Sequence, residues 1–182
     1  MARPPLLILA LILALPPGAA SGQSSGAQPS GSAADPVCTG SVDLPVSLAG
    51  WASLVAMKVA GNEKAARKAE LVPGTAARLT ILPTPKVTYP VRPEKPGGTV
   101  SYGGLLRFTV AAEGVWRVML DSGSWIDVVK DGKAAQSIAH GRGPACTGIR
   151  KMVDYRLSPG TYTLQIAANG TENLTLLVAP QP

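Results

Sequence analysis

Apolar and polar positions alternate with period two over two stretches that share one plan. Leu106, Phe108 and Val110 alternate with Arg107 and Thr109; after Glu113-Gly114, Trp116, Val118 and Leu120 alternate with Val115, Arg117 and Met119. The plan returns as Val153, Tyr155 and Leu157 against Asp154 and Arg156, then Pro159-Gly160, then Tyr162, Leu164 and Ile166 against Thr161, Thr163 and Gln165. Period two is the mark of a strand with one face buried, so each stretch predicts two strands joined by a turn, a hairpin. Phe108, Val110, Gly114, Trp116, Val118 and Leu120 align with Tyr155, Leu157, Gly160, Tyr162, Leu164 and Ile166 once one residue is deleted from the turn. The apolar faces require a second apolar layer, which predicts two similar hairpins packed in one sandwich.

The remaining elements are shorter. Ser124–Lys130 predicts a strand running into the tight turn Asp131-Gly132, and Leu174–Val178 a last strand after Asn169-Gly170. Residues 53–60 suit a strand. Asn62–Glu70 is the one plausible helix, capped by Asn62 with Glu63 in its first turn, and its weak apolar stripe makes it a surface decoration of one or two turns. Pro83, Pro85, Pro90, Pro93 and Pro96 exclude a central strand from residues 83–98 and leave an extended edge or a wrapping loop. The expected fold is all-β: an antiparallel, jelly-roll-like β-sandwich with at most one short helix.

The N-terminus changes the setting of this domain. Arg3, the apolar run Leu6–Leu15 and the small residues from Gly18 to Gly22 read together as an export signal over residues 1–22. Residues 23–37, rich in Ser, Gly, Ala and Pro, read as a flexible leader, and 38–182 as a single domain. The expected location is periplasmic or secreted, with no transmembrane segment in the mature chain. Cys38 and Cys146 remain after cleavage, and an even count in an oxidising compartment favours one disulfide between them.

The chain carries 17 basic and 11 acidic side chains, net +6, one charge of which leaves with Arg3. The basic residues are scattered among acidic ones, which argues against a nucleic-acid groove. The exception is residues 137–151, where the only histidine, His140, stands with Arg142, Arg150 and Lys151 among glycines and a proline. Backbone amides and cations together suit a carboxylate, sulfate or phosphate, so these four residues form the candidate ligand loop. The plainer reading is an inter-strand loop pinned by Cys146 with solvated cations. No catalytic set emerges. A serine triad would lack a nucleophile elbow; Asp121, Asp127, Asp131 and Asp154 would have to pair in space to act as a glycosidase; and the same aspartates lack the rhythm of a calcium loop. No metal site and no cofactor are expected. Trp51, Trp116 and Trp125 are the candidate stacking platforms for a sugar, with Trp116 in the register of the core.

The sequence Trp125-Ile-Asp-Val-Val-Lys-Asp-Gly-Lys133, followed by Tyr155-x-Leu157-x-Pro159-Gly160-x-Tyr162-x-Leu164, resembles bacterial pre-peptidase C-terminal domains and related jelly-roll sandwiches over about residues 100–180. The resemblance rests on turn and core residues and implies a fold. Tyr102-Gly103-Gly104, Asp127–Gly132, His140-Gly141, Gly143-Pro144, Cys146, Gly148–Lys151 and Gln165-Ile166-Ala167 look like a family of small exported proteobacterial proteins, whose members are sometimes catalogued as homogentisate 1,2-dioxygenase. That activity takes iron(II) on two histidines and a carboxylate, and one histidine cannot supply the set within a monomer. The expected function is an exported, non-catalytic binding or structural module of the cell envelope, its partner an unidentified envelope component or a small anionic ligand. The competing readings are the dioxygenase-type enzyme and a carbohydrate-binding module.

Overall fold

In the computed structural model, strands form where the period-two pattern is strongest. The structure describes Cys38 and residues 42–182; the export signal expected over 1–22 and the leader over 23–37 lie outside these residues. Strands β1 (Leu54–Lys58), β2 (Ala76–Thr80), β5 (Gly114–Leu120), β8 (Ser137–Gly141), β9 (Lys151–Leu157) and β11 (Asn173–Pro180) build one sheet in the order β1-β2-β11-β5-β9-β8. Strands β3 (Leu82–Pro83), β4 (Tyr102–Val110), β6 (Trp125–Lys130), β7 (Lys133–Ala134) and β10 (Gly160–Asn169) build the other in the order β3-β4-β10-β6-β7. Without the edge strands β1, β3 and β8, the order is β2-β11-β5-β9 over β4-β10-β6-β7, the interleaved eight-strand arrangement of a jelly roll. All pairings between neighbouring strands are antiparallel except that of β1 with β2, which is parallel.

The two expected hairpins are not hairpins. β4 and β5 belong to opposite sheets, as do β9 and β10, so Glu113-Gly114 and Pro159-Gly160 carry the chain across the sandwich as arches. The two arches nest: β4 pairs with β10, placing Phe108 opposite Tyr162, while β5 pairs with β9, placing Trp116 opposite Tyr155. Each arch is fastened alike. Trp116 Nε1 donates to the Ala112 carbonyl at 3.3 Å, and Tyr162 Oη to the Ser158 carbonyl at 2.8 Å, each four residues upstream. Phe108 stacks on Tyr162 with ring centroids 5.7 Å apart and lies 6.5 Å from Trp116, so three of the four aligned aromatics of the repeat meet in one cluster.

The main core lies between the sheets, with Phe108, Leu106, Leu120, Leu164, Ile166 and Leu176 fully buried. A second apolar cluster occupies the outer face of the six-stranded sheet. There Met119, Leu177, Ala179 and Ala76 are covered by Leu48 of a 3-10 turn (Val46–Ala52), by Trp51 and by Ile149. This explains why Met119, predicted to face outward, is buried. Cys38 and Cys146 are disulfide-bonded with Cα atoms 5.4 Å apart, and Trp51 Nε1 donates to the Thr147 carbonyl at 2.9 Å; both bonds tie the N-terminal layer to the segment that carries Ile149.

The helix α1 (Glu63–Ala66) is a single turn, shorter than its pattern, with the Asn62 side chain accepting from the Ala65 N–H as expected of a cap. Asp131 and Gly132 both take positive φ (51° and 71°), the geometry of a two-residue hairpin turn between β6 and β7. The proline-rich stretch is a strap across the outer face of the five-stranded sheet: Tyr89 Oη donates to the Ile166 carbonyl at 3.0 Å. Gly103 allows this crossing, since a Cβ there would meet Tyr89 Oη at 2.1 Å. All the described residues fall within one unit, Pro36–Pro182, and among them no helix is long and apolar enough to cross a membrane.

Candidate functional site

The two sheets part along the side where β7 hands over to β8. β7 pairs with only Val129 and Lys130 of β6, which leaves the Trp125–Asp127 edge of β6 without a strand neighbour. Opposite stands β8, the exposed edge of the other sheet. Between them opens a cleft of about 700 Å³ lined by Trp125 and Asp127 from β6, His140 and Arg142 from β8 and its end, Lys151 from β9, and Glu94 and Lys95 from the strap.

The sequence places these groups by strand alternation. Ile126 and Val128 turn into the core, so Trp125 and Asp127 share the outer face of β6, where Trp125 Nε1 donates to Asp127 Oδ1 at 3.0 Å. Gln165 is opposite Asp127 on β10 and buried. Its Nε2 donates to Asp127 Oδ2 at 2.6 Å and to the Val91 carbonyl at 2.9 Å, while its Oε1 accepts from the Val91 N–H at 3.4 Å. One buried amide thus fixes the carboxylate that orients the indole and anchors the strap that brings Lys95.

Two ammonium groups converge on that indole. Lys95 Nζ lies 5.7 Å and Lys151 Nζ 5.6 Å from the Trp125 ring centroid. Lys151 Nζ also donates to the Ser124 carbonyl at 2.7 Å. Burial first, then the Lys95 charge, holds the Lys151 ammonium below the usual lysine range, with Asp127 pulling the other way. Tyr155, on the same cleft wall, is pushed above the usual tyrosine range by burial and secondarily by Asp127. Among the described residues the one ion pair is Arg117–Asp154, so no carboxylate stands at ion-pair distance from Lys95, Arg142 or Lys151.

The predicted ligand loop is therefore only partly a loop and only partly a site. Its first five residues are the edge strand β8, and His140, Arg142 and Lys151 face the cleft. Arg150 does not line it; it is exposed, and its N–H donates to the Leu120 carbonyl at 2.8 Å. Lys95, Asp127 and Gln165 complete the site from segments far apart in sequence, and only Asp127 carried a signal, as one of four candidate acids. Asp154 is held bidentately by Arg117 Nε at 2.6 Å and Nη2 at 2.8 Å, and among the described residues no three His, Cys, Asp or Glu side chains converge. Of the three tryptophans, Trp116 is core, Trp51 is tied to Thr147, and Trp125 alone lines the cleft. No protein-family model matches this chain, and no curated protein matches its sequence.

Proposed function

We propose that the protein is an exported, non-catalytic binding module of the cell envelope that takes a small anionic ligand in the cleft around Trp125. The observation that carries this reading is the convergence of Lys95, Arg142 and Lys151 on one cleft where, among the described residues, no carboxylate stands at ion-pair distance from them, although Glu94 and Asp127 also line it. Like charges held together by the fold repel, and an anion entering between them relieves that repulsion while gaining charge-assisted hydrogen bonds. The cleft volume falls in the range of small-molecule sites. The disulfide supports an oxidising compartment, and with it the export signal. The resemblance to exported jelly-roll sandwiches agrees with the fold but adds no ligand.

A carbohydrate ligand is the second reading, favoured by Trp125 alone and best met by an acidic sugar. The dioxygenase reading has little to stand on, because its ligand set requires a second histidine and the chain has only His140. Calorimetric titration of the purified protein with inorganic sulfate, galacturonate and neutral galactose tests the choice. Heat with sulfate and galacturonate, lost in K95Q/K151Q and absent with galactose, is the expected result; equal binding of galactose, or no anion binding at low salt, would overturn it.

A further inference from the structure

Lys151 differs chemically from the lysines on the surface. It opens β9, its Nζ is fixed by the Ser124 carbonyl at 2.7 Å, and it shares the Trp125 ring with a second ammonium, Lys95. Of the two acids that line its cleft, Asp127 already accepts from Trp125 and Gln165, and Glu94 is not at ion-pair distance from Lys151. Lys130 is a comparison within the same fold. It too donates to a carbonyl, that of Pro159 at 3.0 Å, and lies over a ring, Tyr162 at 5.1 Å. It lines a separate polar cavity of about 200 Å³ with Glu63, Asp131, Arg67 and Arg107, and among the described residues no second ammonium shares its ring. A lysine that is half-buried and set against another cation releases its proton more readily, and the free amine is the nucleophile toward carbonyl carbon.

We propose that Lys151 is a carbonyl-capture site, whose amine forms a reversible imine with a small aldehyde or ketone bearing an anionic group held by Lys95, His140 and Arg142. The free amine nitrogen attacks the carbonyl carbon, a C–N bond forms, and a proton passes from nitrogen to the carbonyl oxygen to give a carbinolamine. Loss of that oxygen as water leaves the C=N bond, and hydrolysis reverses the sequence. No oxidant or reductant enters. The anion half of this inference rests on the reading of the cleft given above; the amine half does not.

The test is trapping with pyridoxal 5′-phosphate, which carries both groups, and in parallel with pyridoxal, which lacks the phosphate. Each is incubated below stoichiometry with the purified disulfide-bonded protein, reduced with borohydride and mapped by peptide mass spectrometry. The phosphate probe is expected to modify Lys151 several-fold more than Lys130 or the exposed Lys64, Lys86 and Lys133. Pyridoxal is expected to modify Lys151 several-fold less than the phosphate probe. K151R is expected to abolish the preferred adduct without raising the others. Modification spread over the lysines according to exposure overturns the proposal. Retention of the phosphate probe without a Lys151 adduct overturns imine formation and leaves the anion site standing. Equal Lys151 modification by both probes overturns the anion half, and the proposed function with it, while the amine half survives.

Discussion

Arg117 and Asp154 face each other across the β5–β9 pair, and removing one partner costs more than removing the other. The carboxylate is the deeper group, its side chain 12 % exposed against 25 % for the guanidinium. A cavity of about 100 Å³, lined by both residues with Ala139, His140 and Met152, adjoins the pair and is large enough for water. In D154N the guanidinium keeps a neutral acceptor and reaches solvent, so the loss is about 1.5 kcal/mol, between the values for surface and buried pairs. In R117M the stem's packing is kept, but a buried anion loses both of its N–H donors, an expected loss of about 3 kcal/mol. With a urea dependence of about 2 kcal/mol per molar, the midpoints fall by about 0.8 M and 1.5 M, with unchanged slope. Tryptophan-monitored urea unfolding of the oxidised protein reads both. Losses below about 0.5 kcal/mol, or a larger loss for D154N, would refute the reasoning and mark the pair as solvent-screened.

Other outcomes follow from the same structure. Opening the Cys38–Cys146 bond, which spans 108 positions, is expected to lower stability by up to about 4.8 kcal/mol in the chain-entropy picture, read by urea unfolding of C38S/C146S; a loss under 1 kcal/mol would show the N-terminal layer held without it. Asn169 is buried, accepts from Ser124 Oγ and donates to the Thr171 and Asn173 carbonyls, so N169A is expected to cost about 2–4 kcal/mol by thermal unfolding and to disturb the carbonyl that holds Lys151. The Lys151 value lies below its unfolded one, so the charged form is penalised in the folded state at neutral pH and the penalty disappears as pH rises towards the ordinary lysine range. The stability difference between K151M and the native protein is therefore expected to move in favour of the native protein as pH rises, in unfolding measured at several pH values. Tyr89, pushed up to about 12 by burial, and Tyr155 act in the opposite sense in both proteins and cancel from the difference.

The sandwich was legible because alternation and turn residues are local signals. The arches were not. Period-two strands flanking Glu113-Gly114 or Pro159-Gly160 read alike whether the second strand pairs with the first or crosses to the facing sheet, and only the nested β4–β10 and β5–β9 pairings decide it. Met119 in an outward register was a readable sign that something covers that face, and Leu48 does. The candidate site was half visible. His140, Arg142 and Lys151 stood together in sequence, whereas Lys95 and Gln165 reach the cleft through a strap and a central strand that no local pattern connects.

The most direct test of the proposal that the cleft binds an anion is the indole N–H spectrum of the isotopically labelled protein during titration with sulfate and with galacturonate. Trp125 alone lines the cleft, while Trp116 is sealed in the core and Trp51 is bonded to Thr147, so three resolved indole signals report site and scaffold separately. The account predicts that the Trp125 signal shifts and saturates with both anions while the other two stay in place, and that K95Q/K151Q suppresses the shift. A Trp125 signal that stays still under both titrations, or three signals that drift together without saturating, would contradict it.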